Sequence, residues 1–256
     1  MAIYLKEFST HSEYEQYING SDAILPNVSI CTTEGDVHYN PYVDPCASEK
    51  VKTTYEWVEI GGVKWATKNV GAKTITDYGQ YFSWGGVNGF TADQVTGDCH
   101  SKAFSWADYE LGNGGSSASD LTKYTSSDGK TVLESVDDAA TVNMGSGWRM
   151  PTTAEFQALS AATTNAWTSI TVDNVTVSGR MFTDKTDSSK TLFFPAAGDC
   201  IDGAGGSVGL SGRYWSSSIG YNYVREGRSL EFSSSNCTMV DHFRCYGFSV
   251  RGVFVG

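Results

Sequence analysis

The chain has 256 residues, 40% of them hydrophobic and 13% aromatic, so it can bury a full core and is not a disordered polymer. Its formal charge is −11, and its 18 Lys and Arg residues are scattered, which argues against the concentrated basic surface that a phosphate backbone demands. Nucleic acid is therefore not an expected partner. No window approaches 18 apolar residues, and "MAIYLKEFSTHSEYEQYI" has no apolar run behind a basic start. Neither a membrane span nor a Sec-type signal peptide is expected, and synthesis in the cytoplasm follows.

Residues 1–51 read as an N-terminal attachment or oligomerisation segment. Thr10 followed by Glu13 has the capping-box spacing and Asn19-Gly20 supplies a left-handed stop, so a short helix is expected over 11–18. "NVSICTTEGDVHYN" alternates on both sides of Glu34-Gly35-Asp36 and reads as a hairpin; "PYVDPCASEK" reads as a linker. Residues 52–256 form the expected main domain. "YEWVEIGGVKWATKNVG" has two alternating arms around Gly61-Gly62, a strong hairpin signal. "YGQYFSWGG" is a short strand. The Gly/Ser-rich stretch from Asn88 to Thr131 reads as a long surface insertion with little regular structure.

"ESVDDAATVNM" (134–144) can form a helix, and Thr152 with Glu155 opens a second one that places Phe156 and Leu159 on one face. Five short strands follow, around "SITVDNVTVSGRMFTD", "KTLFFPAAG", "GRYWSSS", "RSLEFSS" and "GFSVRGVFV". Two helices early and many strands late indicate an α+β domain, and no repeat of fixed period is present. One stretch resists this reading. Val240, Asp241, His242, Phe243, Arg244, Cys245 and Tyr246 follow neither a period of two nor one of 3.6, and they contain no Gly, Pro or Asn to mark a turn.

Motifs for catalysis are weak. "GGSVG" (205–209) matches G-x-S-x-G but lacks the preceding buried strand and following helix of a nucleophile elbow. His11, His38, His100 and His242 have no metal-ligand spacing with one another or with cysteine. No D-x-[DN]-x-[DN]-G loop occurs, so no metal or other cofactor is expected. Six cysteines form no C-x-x-C pair, and reduced thiols are expected.

Six blocks, "VKWATKNVGA", "DYGQYFSWG", "DDAATVNMGSGWRMPTTAEFQAL", "LFFPAAG", "GRYWSSS" and "GFSVRGV", in this order, resemble the C-type-lectin-like major-paralogous domain common in gut Bacteroidetes and their phages. The resemblance covers roughly Tyr55 to Gly256. It implies a C-type-lectin-like fold, two helices packed on short, mostly antiparallel strands with a long loop insertion. It also implies that the first hairpin pairs with the last strand, and that Trp57, Trp65, Trp148 and Trp215 are largely buried. Residues 1–45 resemble the N-terminal segment of structural proteins in phages of the same bacteria.

The terminal stretch further resembles the variable region, here about 213–251, of proteins diversified by a retroelement. In such proteins adenines of Asn codons are replaced at random, which can yield every residue from Val240 to Tyr246 but never Lys, Glu, Gln, Met or Trp. Set against the family frame, the varied positions are Ile219, Tyr221, Tyr223, Arg225, Thr238, Val240, Asp241, His242, Phe243, Cys245 and Tyr246. Arg244, Gly247, Phe248, Val250 and Arg251 match the frame, as do Glu231 and Met239, which no Asn codon can produce. The resemblance thus implies a non-enzymatic ligand-binding protein, a phage tail-tip or cell-surface adhesin. Its partners would be a bacterial surface protein or glycan, and virion or cell-surface proteins through the N-terminal segment; a homo-oligomer, a trimer for a tail fibre, is compatible. The varied patch is expected to be exposed and nearly neutral to stability, with Cys245 a partly exposed free thiol and Cys237 a buried one. Two alternatives stand beside this reading. The formylglycine-generating oxidases share the fold and use two nearby C-terminal cysteines, an arrangement that Cys237 and Cys245, eight residues apart, resemble, and a non-diversified decoration protein would account for the N-terminus. The calcium-dependent sugar-binding signatures of the lectin fold (Glu-Pro-Asn, Gln-Pro-Asp, Trp-Asn-Asp) are absent.

Overall fold

The computed structural model describes the strand backbone at 6–8, 30–33 and 36–39, and residues 55–91, 102–221 and 224–256 in full. The chain divides into two compact units, Met1–Thr54 and Tyr55–Gly256. In the first, β1 (Lys6–Phe8), β2 (Ile30–Thr33) and β3 (Asp36–Tyr39) form an antiparallel sheet in the order β1-β3-β2. Thr33 pairs with Asp36, the hairpin expected around Glu34-Gly35-Asp36. The helix expected over 11–18 and the linker at 41–50 lie outside the described residues.

The second unit is mixed α+β, with mostly antiparallel strands and two helices, one of them short. It opens with the hairpin of β4 (Trp57–Ile60) and β5 (Val63–Ala66). Gly61 and Gly62 have φ of 63° and 76°, the left-handed pair that a two-residue type I′ turn requires. A Cβ on Gly61 would also come within 3.2 Å of Ala162 Cβ, so glycine lets this turn sit against the helix that ends there. The terminal strand β17 (Val253–Phe254) pairs with β5 through Val253 and Trp65, and on its other side with β7 (Trp148–Arg149). First hairpin and last strand thus share one sheet, as expected. Trp65, Trp148 and Trp215 are buried, but Trp57 is 44% exposed. Along β4 the alternation turns Val58 and Ile60 inward, and Trp57 and Glu59 therefore face out.

A five-stranded sheet has the order β15-β14-β13-β16-β6, from β6 (Tyr81–Phe82), β13 (Ser211–Ile219), β14 (Glu226–Ser233), β15 (Cys237–Phe243) and β16 (Phe248–Ser249). Only β13 and β16 run parallel. A further sheet holds β8 (Thr163–Val172), β9 (Val175–Asp184) and β10 (Thr191–Pro195). The first two are ten residues each, longer than the short strands expected. A small pair, β11 (Asp199–Ile201) and β12 (Ala204–Gly206), completes the strands among the described residues.

The first helix, α1 (Ala139–Met144), is shorter than its sequence suggested, because residues 135–137 form a separate 3-10 turn. Asp138 caps it, accepting from Thr141 N at 2.9 Å and Met150 N at 2.8 Å. The second, α2 (Thr153–Ala162), carries the expected capping box: Thr152 N donates to Glu155 Oε2 at 2.7 Å, and Glu155 N donates back to Thr152 Oγ1. Phe156 and Leu159 are buried from it, and they pack with Trp65, Phe182, Phe194, Tyr214 and Phe232 in the main core.

Two expectations are corrected. The insertion is not merely a surface loop: Phe104, Tyr109, Leu121 and Tyr124 are buried, and Tyr124 Oη donates to Asp137 Oδ2 at 2.7 Å. These side chains are set by 3-10 turns at 106–108 and 118–120, whose geometry leaves no helix or strand period in the sequence. The thiols are also not all reduced. Cys200, buried in β11, is disulfide-bonded, whereas Cys237 and Cys245 are free. Bridging depends on Cα separation and side-chain direction, which spacing along the chain does not reveal.

Candidate functional site

The stretch without a period is strand backbone up to Phe243. β15 pairs with β14 over seven residues, from Glu226↔Phe243 to Phe232↔Cys237. It is the edge of its sheet, and neighbours partly cover both of its faces, so neither face is purely apolar or purely polar. Cys237 and Met239 stand opposite Phe232 and Leu230 and pack on the main core. Thr238, Val240 and His242 face the other way, opposite Glu231, Ser229 and Gly227.

The candidate residues fall into three groups. In the first, Tyr221 is 70% exposed, and its ring lies over the Arg228 guanidinium at 4.3 Å. Arg228 Nη1 pairs with Asp241 Oδ1 at 3.0 Å, and Tyr221 N donates to Asp241 Oδ2 at 3.2 Å. The Arg228 and Asp241 side chains are only 13% and 11% exposed, so Asp241 is a largely buried ion-pair partner. In the second, Phe243 packs against Trp106 at 5.8 Å and Tyr246 at 5.6 Å, with the Arg225 guanidinium 5.3 Å from its ring. Arg225 Nη1 donates to Ser116 O at 2.6 Å. In the third, His242 meets Phe248 edge-on at 5.0 Å and bonds Glu231 Oε2 through Nε2 at 3.0 Å. Glu231 also accepts from Arg213 Nε at 3.0 Å, and Arg213 pairs in turn with Asp199.

Of the remaining candidates, Thr238 is exposed and Val240 half-buried. Ile219 is half-buried beside the core of Trp84, Trp215 and Phe248, its N–H donating to Thr131 O at 2.9 Å. Tyr223 lies outside the described residues. The uniformly exposed patch expected from the sequence is therefore corrected to a half-covered surface, with Tyr221 and Thr238 its outermost described members. Cys245 contradicts its expectation outright. It is 1% exposed, packed with Tyr109 and Leu121, and burial pushes its pKa up to about 12. The insertion that covers it carries no sequence signal of doing so. Cys237 is half-buried and its thiol is likewise raised by burial.

Beneath these groups the sheet is held by residues that are not candidates. Arg244 is fully buried, its guanidinium 4.6 Å from the Trp84 ring and donating to Lys123 O and Tyr124 O at 3.1 and 2.7 Å. Trp215 stacks on Phe248 at 4.3 Å and donates from Nε1 to Phe82 O at 2.8 Å. Sequence reasoning passed over Arg228 and Trp106. Arg228 did leave a signal: it shares a strand face with Leu230 and Phe232, and a charge on an apolar face calls for a partner.

Burial lowers the pKa of His242, with Glu231 opposing and Arg213 reinforcing the shift, so the ring is neutral at neutral pH and Nε2–H donates to the carboxylate. Burial alone would raise Glu231, but the Arg213 and His242 bonds outweigh it and hold the carboxyl below its ordinary range. For a depressed histidine the unfolded state takes up the proton first, so stability is lost as pH falls through about 6.5 toward the folded value; Glu231 adds a loss below about 4.3. The melting temperature should thus fall on acidification, and His242→Phe should flatten the upper part of that slope. An unchanged slope in differential scanning calorimetry would remove His242 as its source.

Among the described residues no helix is long and apolar enough to cross a membrane, and no cluster of three or more His, Cys, Asp or Glu is placed to hold a metal. Comparison with protein-family models, curated proteins and solved structures finds no match to this chain.

Proposed function

We propose that residues 55–256 are a C-type-lectin-like ligand-binding domain of the retroelement-diversified type, which binds a bacterial surface ligand through the 219–246 surface. One observation carries this reading. Apart from Ile219 and Cys245, the described candidate side chains cluster at one edge of a sheet whose backbone is fixed by other groups: the β13–β14–β15 ladder, Trp215 on Phe248, and Arg244 on Trp84. A surface of this kind can change its contacts while its scaffold stays. The aromatic content, Tyr221, Phe243 and Tyr246 with Arg225 among them, is what recognition surfaces use, because such rings give large contact area at low entropic cost. The pairing of first hairpin and last strand, with two helices between, agrees with the arrangement the resemblance implies. The β1–β3 unit would then serve attachment to a virion or cell surface.

The oxidase alternative fares worse. Cys237 lies against the main core and Cys245 in a separate cluster with Tyr109 and Leu121. Burial raises both thiols, which opposes the thiolate that oxidative chemistry needs.

The test is binding of labelled protein to gut Bacteroidetes cells. Replacing Tyr221, Arg225, Thr238 and Tyr246 together by Ser should abolish binding to a recognised strain while far-ultraviolet circular dichroism is retained. Undiminished binding by the folded variant would sink the proposal. The neighbouring DNA gives an independent check: a near-copy of codons 213–251 with Asn codons at the candidate positions, beside a reverse transcriptase.

A further inference from the structure

Both the backbone and the ring of Tyr221 are held in place although the side chain is exposed. Its N–H is tied to Asp241, and one face of the ring rests on an Arg228 guanidinium that Asp241 itself clamps. At 70% exposure the rest of the ring is open to solvent, so it is a preorganised stacking platform whose ordering cost is already met by the fold. It borders a concavity of about 230 Å³ whose other walls include Thr125, Ser126, Lys130, Thr131 and Ile219. That volume lies below the roughly 300 Å³ at which drug-sized sites begin, so it suits one ring and not a chain. The Ile219–Thr131 backbone bond joins the two walls, and Thr125 and Lys130 N–H groups are set by bonds to Asp128.

We infer that this concavity is a subsite for a single neutral sugar residue, which stacks the C–H face of its ring on Tyr221 and bonds its hydroxyls to the Thr125, Ser126 and Thr131 hydroxyls. The inference rests on the proposed ligand-binding function and names its ligand class. Neutrality follows from charge. Lys130, the one cation among the described residues of the wall, is already paired with Glu134 Oε2 at 2.7 Å, and the chain as a whole carries −11. An acidic sugar would meet no free positive partner there. No metal ion enters this recognition; stacking and hydroxyl bonds supply it.

The experiment is saturation-transfer NMR of the full chain with glucose, galactose, mannose and N-acetylglucosamine, and with glucuronic acid as the anionic control. At least one neutral sugar should bind with millimolar affinity in the presence of a chelator. Tyr221→Ala should weaken it by about tenfold, Tyr221→Phe should retain it because the platform remains, and Thr131→Val should weaken it. Trp57, a second exposed aromatic over a cation among the described residues (Lys64 at 4.8 Å), serves as control, and Trp57→Ala should leave binding unchanged. Binding by none of the neutral sugars, preference for glucuronic acid, or loss in Trp57→Ala with retention in Tyr221→Ala would each overturn the inference. A chain that ignores every sugar yet still binds cells through the 219–246 surface would overturn the subsite alone and leave the proposed function standing.

Discussion

Trp215→Ala should cost about 3–5 kcal/mol of folding stability, the usual penalty for deleting a buried large aromatic. Its ring is fully buried, stacks on Phe248, and closes a core shared with Trp84, Tyr124 and Val250. Truncation also strips Phe82 O of its indole donor, and an acceptor left unpaired in the interior adds about 1–3 kcal/mol unless water enters. For a domain of this size each kcal/mol corresponds to roughly 2–4 °C, so the melting temperature should drop by roughly 10 °C or more. Tyr221→Ala, by contrast, removes an exposed ring whose fold contact is one cation–π pair, and should cost about 1 kcal/mol or less. Asp241→Ala should fall between them at about 1–3 kcal/mol, because it leaves Arg228 largely buried without its carboxylate. Chemical denaturation of the three variants reads the order directly. Should Tyr221→Ala prove the most destabilising, the ring would be part of the core and not of a recognition surface.

This ordering narrows what the proposed varied surface could do. Position 241 faces a fixed guanidinium, and position 242 faces a fixed carboxylate at Glu231. On the proposed diversified reading, random replacement at either would be filtered by folding before it could be filtered by binding. Position 221 has no such filter, nor has exposed Thr238. The part of the surface freest to vary is therefore its outer rim.

Local chemistry explains which elements were legible. Gly61-Gly62 and the Thr152–Glu155 box are decided within a few residues, by φ and by hydrogen bonds between near neighbours, and both could be read directly. The candidate site depends on distant partners. β15 lost its period because Met239 meets the main core, Asp241 meets Arg228 and His242 meets Glu231, three surroundings of different polarity along one strand. Burial of Cys245 depends on Tyr109 and Leu121, which come from a Gly/Ser-rich stretch whose composition conceals them. Strand β8 begins at Thr163, directly after α2, where "AATTNAW" gives no break signal; the boundary shows only through its pairing with β9.

Arg251→Ala should be comparably damaging to the loss of Trp215, about 4–6 kcal/mol, for a reason that is polar instead of steric. The side chain is fully buried, and its guanidinium donates to Asn69 Oδ1 at 2.9 and 2.7 Å, to Ala66 O at 3.0 Å and to Phe193 O at 3.0 Å. Its carbon centre lies 4.4 Å from the Phe194 ring, and burial lowers its pKa to about 10, so it remains charged at neutral pH. Ala66 belongs to β5 and Phe193 to β10, while Asn69 Nδ2 donates onward to the Tyr214 hydroxyl on β13. One planar group therefore ties three sheets at their meeting point. Removing it leaves three acceptors short of a donor, at about 1–3 kcal/mol each, with a cavity besides. Arg251→Lys should recover little, because an ammonium is a point donor on a shorter reach and cannot span acceptors set out for a planar fork. Equilibrium urea unfolding of both variants makes the comparison. A lysine variant within about 1 kcal/mol of the parent would mean that charge alone, and not the fork geometry, holds the sheets together.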